Sequence, residues 1–223
     1  MGNVVRTVVI TAGPTREHLD PVRFLSNPST GKMGFAIAEA AARRGWQVTL
    51  VAGPVQLKTP HGVNRVDVVS AREMLAAAKA ALPADVFVAT AAVADWRPKR
   101  KAAKKLKKRE MSAMLELVRN PDILKSVKCG FKVGFAAETG DPAAEAARKC
   151  RAKKLRFIVA NDVSERGCGF GTDTNRVTIL RADGSVRPLP LLAKRAVAAK
   201  IMDEIEAAFW QGVGCSREPA DGN

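Results

Sequence analysis

Short segments rich in β-branched residues alternate with segments of good helix formers, and this alternation restricts the fold more than any other feature. The β-branched segments occur at 4–13, 47–54, 65–69, 85–90, 132–138 and 155–162. Helix-forming segments lie between several of them, at 35–44, 71–82 and 141–154. Such alternation is typical of a mainly parallel sheet with helices on both faces. We therefore predict an α/β, Rossmann-like, doubly wound fold.

The C-terminal part of the sequence departs from this alternation. Arg176–Pro190 has the pattern of an antiparallel hairpin that turns at Asp183–Gly184, and an amphipathic helix is expected at 191–210. No internal repeat divides the chain. We predict a single domain over 1–210 and a flexible tail at 211–223.

Local signals predict three further features. Ser70 and Glu73 have the spacing of a capping box at the start of a helix. Asn120 followed by Pro121 predicts a helix N-cap and first helical position. Residues 114–118 predict another strand.

The residue types exclude several classes of protein. The four cysteines contain no CxxC pair and there are only two histidines, which disfavours a zinc site, a disulfide framework and histidine-dependent nucleophilic catalysis. No apolar run reaches the roughly 18 residues of a membrane span, and no apolar signal-peptide core is present. We expect a cytoplasmic protein.

Most of the excess positive charge lies in one basic segment. The net charge is +15, and "RPKRKAAKKLKKR" at 97–109 carries nine basic residues without an acidic one. Three interpretations stay open at this point: a solvated flexible segment, a nucleic-acid-binding tail, or a flap over an anionic small molecule. Aromatic residues that would stack on bases are missing from the segment, apart from Trp96 at its edge.

The stretch "SNPSTGKMGFAIAEAAARRG" at 26–45 resembles a phosphate-binding loop but matches neither common motif. A P-loop requires Ser or Thr after Gly-Lys, where this chain has Met33, and glycine where it has Ser26. The GxGxxG dinucleotide motif is also incomplete, and the chain contains no tyrosine for a short-chain dehydrogenase. Small residues before a helix still allow close backbone approach and attract an anion. A packed helix entry is the alternative.

Read in order, the motifs resemble a known family. They are "ITAGPTREHLDPVRFLSNPSTGKMGFAIAEAAARRG", "AAVADWRP", "KLKK", "NPDIL", "VGFAAETGD" and "ANDVSERGCGFGTDTNRVTIL". Together they resemble bacterial phosphopantothenoylcysteine synthetase, the phosphopantothenate–cysteine ligase of coenzyme A biosynthesis. The resemblance extends from about Val5 to Trp210. A dinucleotide-binding reductase and a basic nucleic-acid-binding module are the competing hypotheses.

The resemblance implies a reaction in two steps. The carboxylate of 4'-phosphopantothenate attacks the α-phosphate of CTP to give an acyl-CMP and pyrophosphate, and the amine of L-cysteine then displaces CMP. Mg²⁺ accompanies the triphosphate, with unknown protein ligands, and ATP is the alternative nucleotide. The family also implies a homodimer and a flavin-dependent phosphopantothenoylcysteine decarboxylase as a partner domain or protein. No membrane and no specific nucleic acid are expected as partners.

The resemblance also implies roles for individual residues. Asn27 corresponds to an asparagine that contacts the acyl carbonyl. The basic segment corresponds to a mobile basic flap, at about 97–110, and Lys105 to the lysine of the KxKK motif on this flap. The family's nucleotide-binding positions correspond to Gly13, Ser29, Gly31, Gly34, Asp95, Asn120, Pro121, Asp122, Ile123, Phe135, Lys149 and Lys153. The positions that bind phosphopantothenate correspond to Arg23, Asn27, Ala91, Ala92 and Asp95, with Arg23 completing the site of the neighbouring subunit.

The basic segment departs from the family pattern. The additional residues "KRKAAK" stand directly before "KLKK". Lys101 or Lys104 therefore takes the role of Lys105 if the register differs.

Overall fold

An eight-stranded sheet forms the centre of the computed structural model, which describes residues 5–108, 114–138, 143–162, 164–165 and 167–213. The strands are β1 (Thr7–Ala12), β2 (Arg16–His18), β3 (Phe24–Ser26), β4 (Gln47–Ala52), β5 (Val63–Asp67), β6 (Val86–Ala89), β7 (Trp96–Pro98), β8 (Leu117–Arg119), β9 (Phe131–Glu138), β10 (Phe157–Asp162), β11 (Thr174–Asn175), β12 (Thr178–Arg181), β13 (Val186–Pro188) and β14 (Leu192–Ala193). The helices are α1 (Lys32–Arg43), α2 (Ala71–Ala80), α3 (Ile123–Ser126), α4 (Ala143–Ala152) and α5 (Lys194–Val213).

The sheet has the strand order of a doubly wound nucleotide-binding fold. Six parallel strands lie in the order β5-β4-β1-β6-β9-β10, and β12 and β13 extend the sheet antiparallel beyond β10. The winding reverses between β1 and β6, which leaves a crevice beyond the carboxyl ends of these two strands. The predicted fold class and the terminal hairpin are confirmed.

Two apolar layers hold the helices against opposite faces of the sheet. On one face, Ile37 of α1 and Ile201 of α5 pack with Ile10 and Leu50. On the other, α2, α3 and α4 contribute Met74, Leu124 and Cys150 to a cluster with strand residues that include Val9, Phe87 and Ile158. Because successive strand residues point to opposite faces, continuous apolar strands are needed to fill both layers.

The helix α1 begins earlier than the sequence indicates. It starts at Lys32 rather than at 35, and Gly31 forms its N-cap with φ of 77° and no side-chain cap. Gly34, in the first turn, lies so close to the sheet that a Cβ on it would be 2.5 Å from the Ala12 Cβ. The glycines therefore bring the open N-terminus of α1 to the end of β1.

The local signals had different outcomes. Ser70 caps α2 by accepting a hydrogen bond from the Glu73 amide, as predicted. The prediction of an N-cap at Asn120 is wrong, because the Asp122 side chain caps α3 by accepting from the Lys125 amide. The Asn120 side chain instead donates to the Ala94 carbonyl oxygen at 2.8 Å.

Three two-stranded sheets lie outside the central one. They pair β2 with β3, β7 with β8, and β11 with β14, all antiparallel. The strand predicted at 114–118 overlaps β8 only at 117–118, and β8 belongs to one of these ribbons. The helix start predicted at Asp141 and residues 214–223 of the predicted tail lie outside the described residues. None of the helices described here is both long and apolar enough to cross a membrane.

Candidate active site

A cavity of about 560 Å³ lies beyond the carboxyl ends of the central parallel strands, at the reversal between β1 and β6. Loops from distant parts of the sequence form its wall. It contains all of the residues that the sequence assigned to ligands except Gly13, Arg23 and Lys105. The cavity residues from this set are Asn27, Ser29, Gly31, Gly34, Ala91, Ala92, Asp95, Asn120, Pro121, Asp122, Ile123, Phe135, Lys149 and Lys153.

Asn27, between β3 and α1, is bonded to the loop that follows β6. Its Nδ2 donates to the carbonyl oxygens of Ala92 at 3.1 Å and Val93 at 3.3 Å. The Ala92 amide in turn donates to the Gly13 carbonyl oxygen at 2.9 Å. These bonds place the Asn27 amide, the loop at 91–95 and the start of α1 on one side of the cavity.

Gly13 supports this side from behind the cavity wall. Its φ is 77°, a conformation in which glycine is favoured. A Cβ on Gly31 would lie 3.4 Å from the Gly13 Cα, so the two glycines allow the loops after β1 and before α1 to pack closely.

Asn120 fixes Asp95 and the loop around it. The Asn120 amide donates to the Asp95 carbonyl oxygen at 2.8 Å, while its side chain binds Ala94. The Ala94 amide also donates to the Thr15 hydroxyl at 3.0 Å. Several backbone groups of the loop are therefore hydrogen-bonded within the protein, and the small side chains of Ala91 and Ala92 leave room in the cavity.

Lys153 and Asp122 form an ion pair in another part of the cavity wall. The Lys153 Nζ lies 2.9 Å from the Asp122 Oδ2. Burial raises the pKa of Asp122, but the hydrogen bond from Lys153, together with the Lys125 amide, outweighs it and lowers the pKa below its ordinary value. Asp122 is therefore ionised near neutral pH. Lys149 on α4 also lines the cavity, and Lys153 lies four residues later, just beyond the end of this helix.

Two lysines that the sequence did not single out line a further part of the wall. Lys194, 7% exposed, donates from Nζ to the carbonyl oxygens of Gly169 at 3.0 Å and Thr172 at 2.7 Å. The Lys32 Nζ lies 2.6 Å from the Asp173 Oδ1 and 3.2 Å from the Gly171 carbonyl oxygen. Burial, followed by the nearby Lys32 charge, lowers the pKa of Lys194.

These two lysines tie the glycine-rich loop 169–173 to the cavity. Phe170, on the same loop, lies at its edge. The glycine-rich sequence GCGFGTD at 167–173 indicates a loop. No local sequence pattern, however, predicts that this loop contacts lysines at the start of α1 and α5.

Arg23 and Lys105 do not line the cavity. The Arg23 guanidinium pairs with Asp20, its Nη2 2.5 Å from Oδ2, and donates to the Leu106 carbonyl oxygen at 2.8 Å. Lys105 precedes Leu106, so the basic segment is attached beside the β2–β3 hairpin. Both residues lie outside the cavity in this arrangement.

The carboxylates of the cavity wall are Asp95 and Asp122. Within the described ranges, no group of three or more His, Cys, Asp or Glu side chains is arranged to hold a metal ion.

Comparison with known proteins gives one consistent family. The model of the DNA/pantothenate metabolism flavoprotein C-terminal domain matches residues 4–209. Coenzyme A biosynthesis bifunctional protein CoaBC of Bacillus subtilis is 50% identical over 210 residues, which are 92% of this chain and 52% of that protein. The CoaBC of Vibrio cholerae is 50% identical over 207 residues, covering 89% of this chain and 52% of the relative. The chain thus spans about half the length of these relatives.

Solved structures agree with the fold. The crystal structure of the C-terminal domain of CoaBC is 45% identical and superposes with a TM-score of 0.78, over 93% of this chain and 98% of that domain. The DNA/pantothenate metabolism flavoprotein from Streptococcus pneumoniae is 20% identical with a TM-score of 0.76, over 91% of this chain and 99% of that one. At this identity the second structure supports the fold alone.

Proposed function

This chain belongs to the family of the DNA/pantothenate metabolism flavoprotein C-terminal domain, and from that premise we propose that it is a phosphopantothenate–cysteine ligase of coenzyme A biosynthesis. The proposed reaction joins 4'-phosphopantothenate and L-cysteine at the expense of CTP. The relatives are named as coenzyme A biosynthesis proteins, which supports this assignment.

The observation that carries the proposal is one cavity that combines an open helix N-terminus, an amide side chain and several lysines. This combination suits two anionic substrates whose reaction needs alignment and charge neutralisation more than a protein nucleophile. The first step forms a bond between a substrate carboxylate oxygen and the α-phosphorus of CTP and breaks the bond to pyrophosphate. We assign the triphosphate to the side of the cavity near α1, where the helix N-terminus, which has no side-chain cap, and Lys32, which is paired with Asp173, line the wall.

In the second step the cysteine amine attacks the carbonyl carbon of the acyl-CMP and CMP leaves. Negative charge then develops on the carbonyl oxygen. We assign Asn27 as the donor to this oxygen, which would take one of the Nδ2 hydrogens now directed to Ala92 and Val93. The small residues Ala91 and Ala92 leave space for the pantothenate arm, and Asp95 accepts from its polar groups.

The nucleoside part of CTP is assigned to the residues from Asn120 to Ile123, Phe135, Lys149 and Lys153. The Lys153–Asp122 pair fixes the position of this loop. Asp95 or Asp122 would be the protein carboxylate available to Mg²⁺, which would help to neutralise the triphosphate. Neither carboxylate distinguishes CTP from ATP, so the choice of CTP rests on the resemblance.

Arg23 can take part in the reaction only at the site of a second subunit. Lys105 can take part only if the basic segment moves. Large apolar side chains stay exposed around the β2–β3 and β7–β8 ribbons, among them Val22, Phe24, Trp96 and Leu117. Such a group favours association with another protein surface. We propose a homodimer through this surface in which Arg23 holds the substrate phosphate of the neighbouring site, and closure of the basic segment brings Lys105 over the intermediate.

The proposed product carries a cysteine carboxylate, which a flavin-dependent decarboxylase would remove. The name of the bifunctional relatives supports such a partner activity, in the same polypeptide or a separate protein. The substrates are metabolites of the cytoplasm, where we place the reaction.

The test is pyrophosphate release by the purified chain with 4'-phosphopantothenate, Mg²⁺ and either CTP or ATP, with and without cysteine. We expect release that requires phosphopantothenate and is faster with CTP, and amide product only when cysteine is present. No release with either nucleotide would refute the ligase, and faster release with ATP would refute the nucleotide assignment alone. Tight DNA binding that weakens steeply with salt would then favour the nucleic-acid hypothesis.

A further inference from the structure

Asp20 is a fully buried carboxylate that lies outside the cavity. Its Oδ1 accepts hydrogen bonds from the amides of Val22 at 2.8 Å and Arg23 at 2.9 Å. Its Oδ2 accepts from the Arg23 Nε at 3.0 Å and from the Leu106 amide at 3.2 Å, in addition to the Arg23 Nη2. One carboxylate therefore joins the loop at 20–23 to the basic segment, more than eighty positions along the chain.

The Arg23 side chain is oriented by this carboxylate. Contacts through both Nε and Nη2 fix the plane of the guanidinium, which a single contact would leave free to rotate. The same Nη2 also reaches the Leu106 carbonyl oxygen. Burial acts to raise the pKa of Asp20, but the hydrogen bonds from Val22, Arg23 and Leu106 hold the pKa well below its ordinary value. The carboxylate is therefore ionised throughout the pH range of an assay.

Both backbone groups of Leu106 are bound at this junction. Its amide donates to Asp20 and its carbonyl accepts from Arg23. A second bond, from the Ala102 amide to the Leu19 carbonyl oxygen at 2.8 Å, holds the same segment four residues earlier. Lys105, assigned above to the flap, lies between these two attachments and directly beside the stronger one.

We propose that Asp20 is a positioning residue that aligns the Arg23 guanidinium for the substrate phosphate and docks the basic segment beside it. The proposal rests on the ligase function proposed above for the identity of that phosphate. An asparagine at this position cannot replace Asp20, since its NH₂ group would face N–H donors and it would not balance the Arg23 charge. Substrate binding and the position of the lysine-bearing segment thus depend on the same carboxylate.

The kinetic test compares wild type, Asp20→Asn, Arg23→Ala and the double variant. We expect Asp20→Asn to raise the KM for phosphopantothenate about tenfold while the KM for CTP changes less than about twofold. In the Arg23→Ala background, Asp20→Asn should leave the KM for phosphopantothenate unchanged, because its effect acts through Arg23. An equal factor in both backgrounds, or equal changes in both KM values, would overturn the positioning role.

The second test is independent of activity. Limited trypsin digestion, followed by mass spectrometry, measures cleavage after Lys104, Lys105 and Lys107. Asp20→Asn should accelerate this cleavage about tenfold, because the attachment of the segment at Leu106 is lost. Unchanged cleavage would overturn the docking role, and this result stands even if the wild-type chain shows no ligase activity.

Asp183→Asn is the matched control for both tests. Asp183 also accepts a backbone hydrogen bond in a turn, from the Ser185 amide at 2.8 Å, but lies in the hairpin loop after β12. It should change neither the KM values nor the cleavage. If Asp20→Asn does not fold, Arg23→Lys replaces it in the digestion, since lysine keeps the charge without the two-point contact. Faster cleavage in that variant supports the proposal, and wild-type cleavage overturns it.

Discussion

A single methyl group at Gly34 tests the close contact between α1 and the sheet. A Cβ on Gly34 would lie 2.4 Å from the Thr90 Oγ1 and 2.5 Å from the Ala12 Cβ. Thr90 cannot move aside without losing the hydrogen bond that its hydroxyl donates to the Thr11 carbonyl oxygen at 2.6 Å. Ala12 is a fully buried residue of β1 and has no rotamer to change.

Helix propensity and packing give opposite signs for Gly34→Ala. Alanine in a helix is more favourable than glycine by at most about 1 kcal/mol. Inserting a methyl group into a filled interior costs about 1 to 3 kcal/mol, and contacts near 2.5 Å place this site at the upper end. We expect a net loss of about 1 to 2 kcal/mol in the free energy of unfolding, or about 2 to 8 °C in Tm for a chain of this size.

The measurement pairs urea denaturation with the pyrophosphate assay. Displacement of the first turn of α1 also moves the proposed phosphate site, and a shift of about 1 Å at such a site can reduce the rate about a hundredfold. Gly130→Ala is the control, because a Cβ there would meet nothing within 4 Å. Its stability and rate should equal those of the wild type.

The outcome for stability decides between the two effects. If Gly34→Ala is as stable as the wild type or more stable, helix propensity outweighs packing and the contact between α1 and β1 is not tight. If it loses stability but keeps full activity, the N-terminus of α1 does not hold a reacting group.

Four further predictions follow from the site. Asn27→Asp should slow conversion of acyl-CMP to product at least about tenfold, because a carboxylate cannot donate to the oxyanion. Quench-flow measures this step, and a wild-type rate in the variant would remove Asn27 from the mechanism. Lys105→Gln should reduce kcat severely with an unchanged Tm, whereas the same loss in Lys104→Gln alone would place the flap register one residue earlier. Arg23→Ala should raise the KM for phosphopantothenate much more than that for CTP, and equal increases would contradict phosphate binding. Folding lowers the pKa of Asp20, so its ionised carboxylate adds to the free energy of unfolding. This contribution is complete above the ordinary carboxyl pKa of about 3.9 and is lost as the pH falls from there towards the lower pKa of the folded state. The stability difference between wild type and Asp20→Asn should therefore shrink in acid, and a difference that grows would refute this.

The sheet and its helices could be predicted because their signals are local and agree with one another. The β-branched segments, the Ser70 cap and the Asp183–Gly184 turn are each specified by a few neighbouring residues, and the structure contains all three. The strand boundaries differ mainly at the ends, where β-branched residues continue past the last paired position.

The errors arose where a side chain takes a partner distant in sequence. Asn120 and Pro121 have the pattern of a helix start, but the Asn120 amide binds the loop at 94–95, and Asp122 is left to cap α3. The β2–β3 and β7–β8 ribbons were not anticipated as ribbons, because their strands have only three residues and pack mainly on each other.

The same distinction applies to the candidate site. Most of the residues that the resemblance supplied line the cavity, although Gly13, Arg23 and Lys105 do not. Lys194 was missed because it lies in the first turn of a predicted amphipathic helix, where a lysine is ordinarily solvated. Only docking of α5 brings its ammonium to the Gly169 and Thr172 carbonyls.

The β7–β8 ribbon has a consequence for how the basic segment can change in length. Pairing of Pro98 with Leu117 already fixes the two ends of the connection side by side. Extra residues therefore cost only the logarithmic increase in loop-closure entropy, about 0.4 kcal/mol for the six residues "KRKAAK". A chain of this architecture can gain or lose lysines in this segment at little cost in stability, so the length of the segment can vary without a change in the fold.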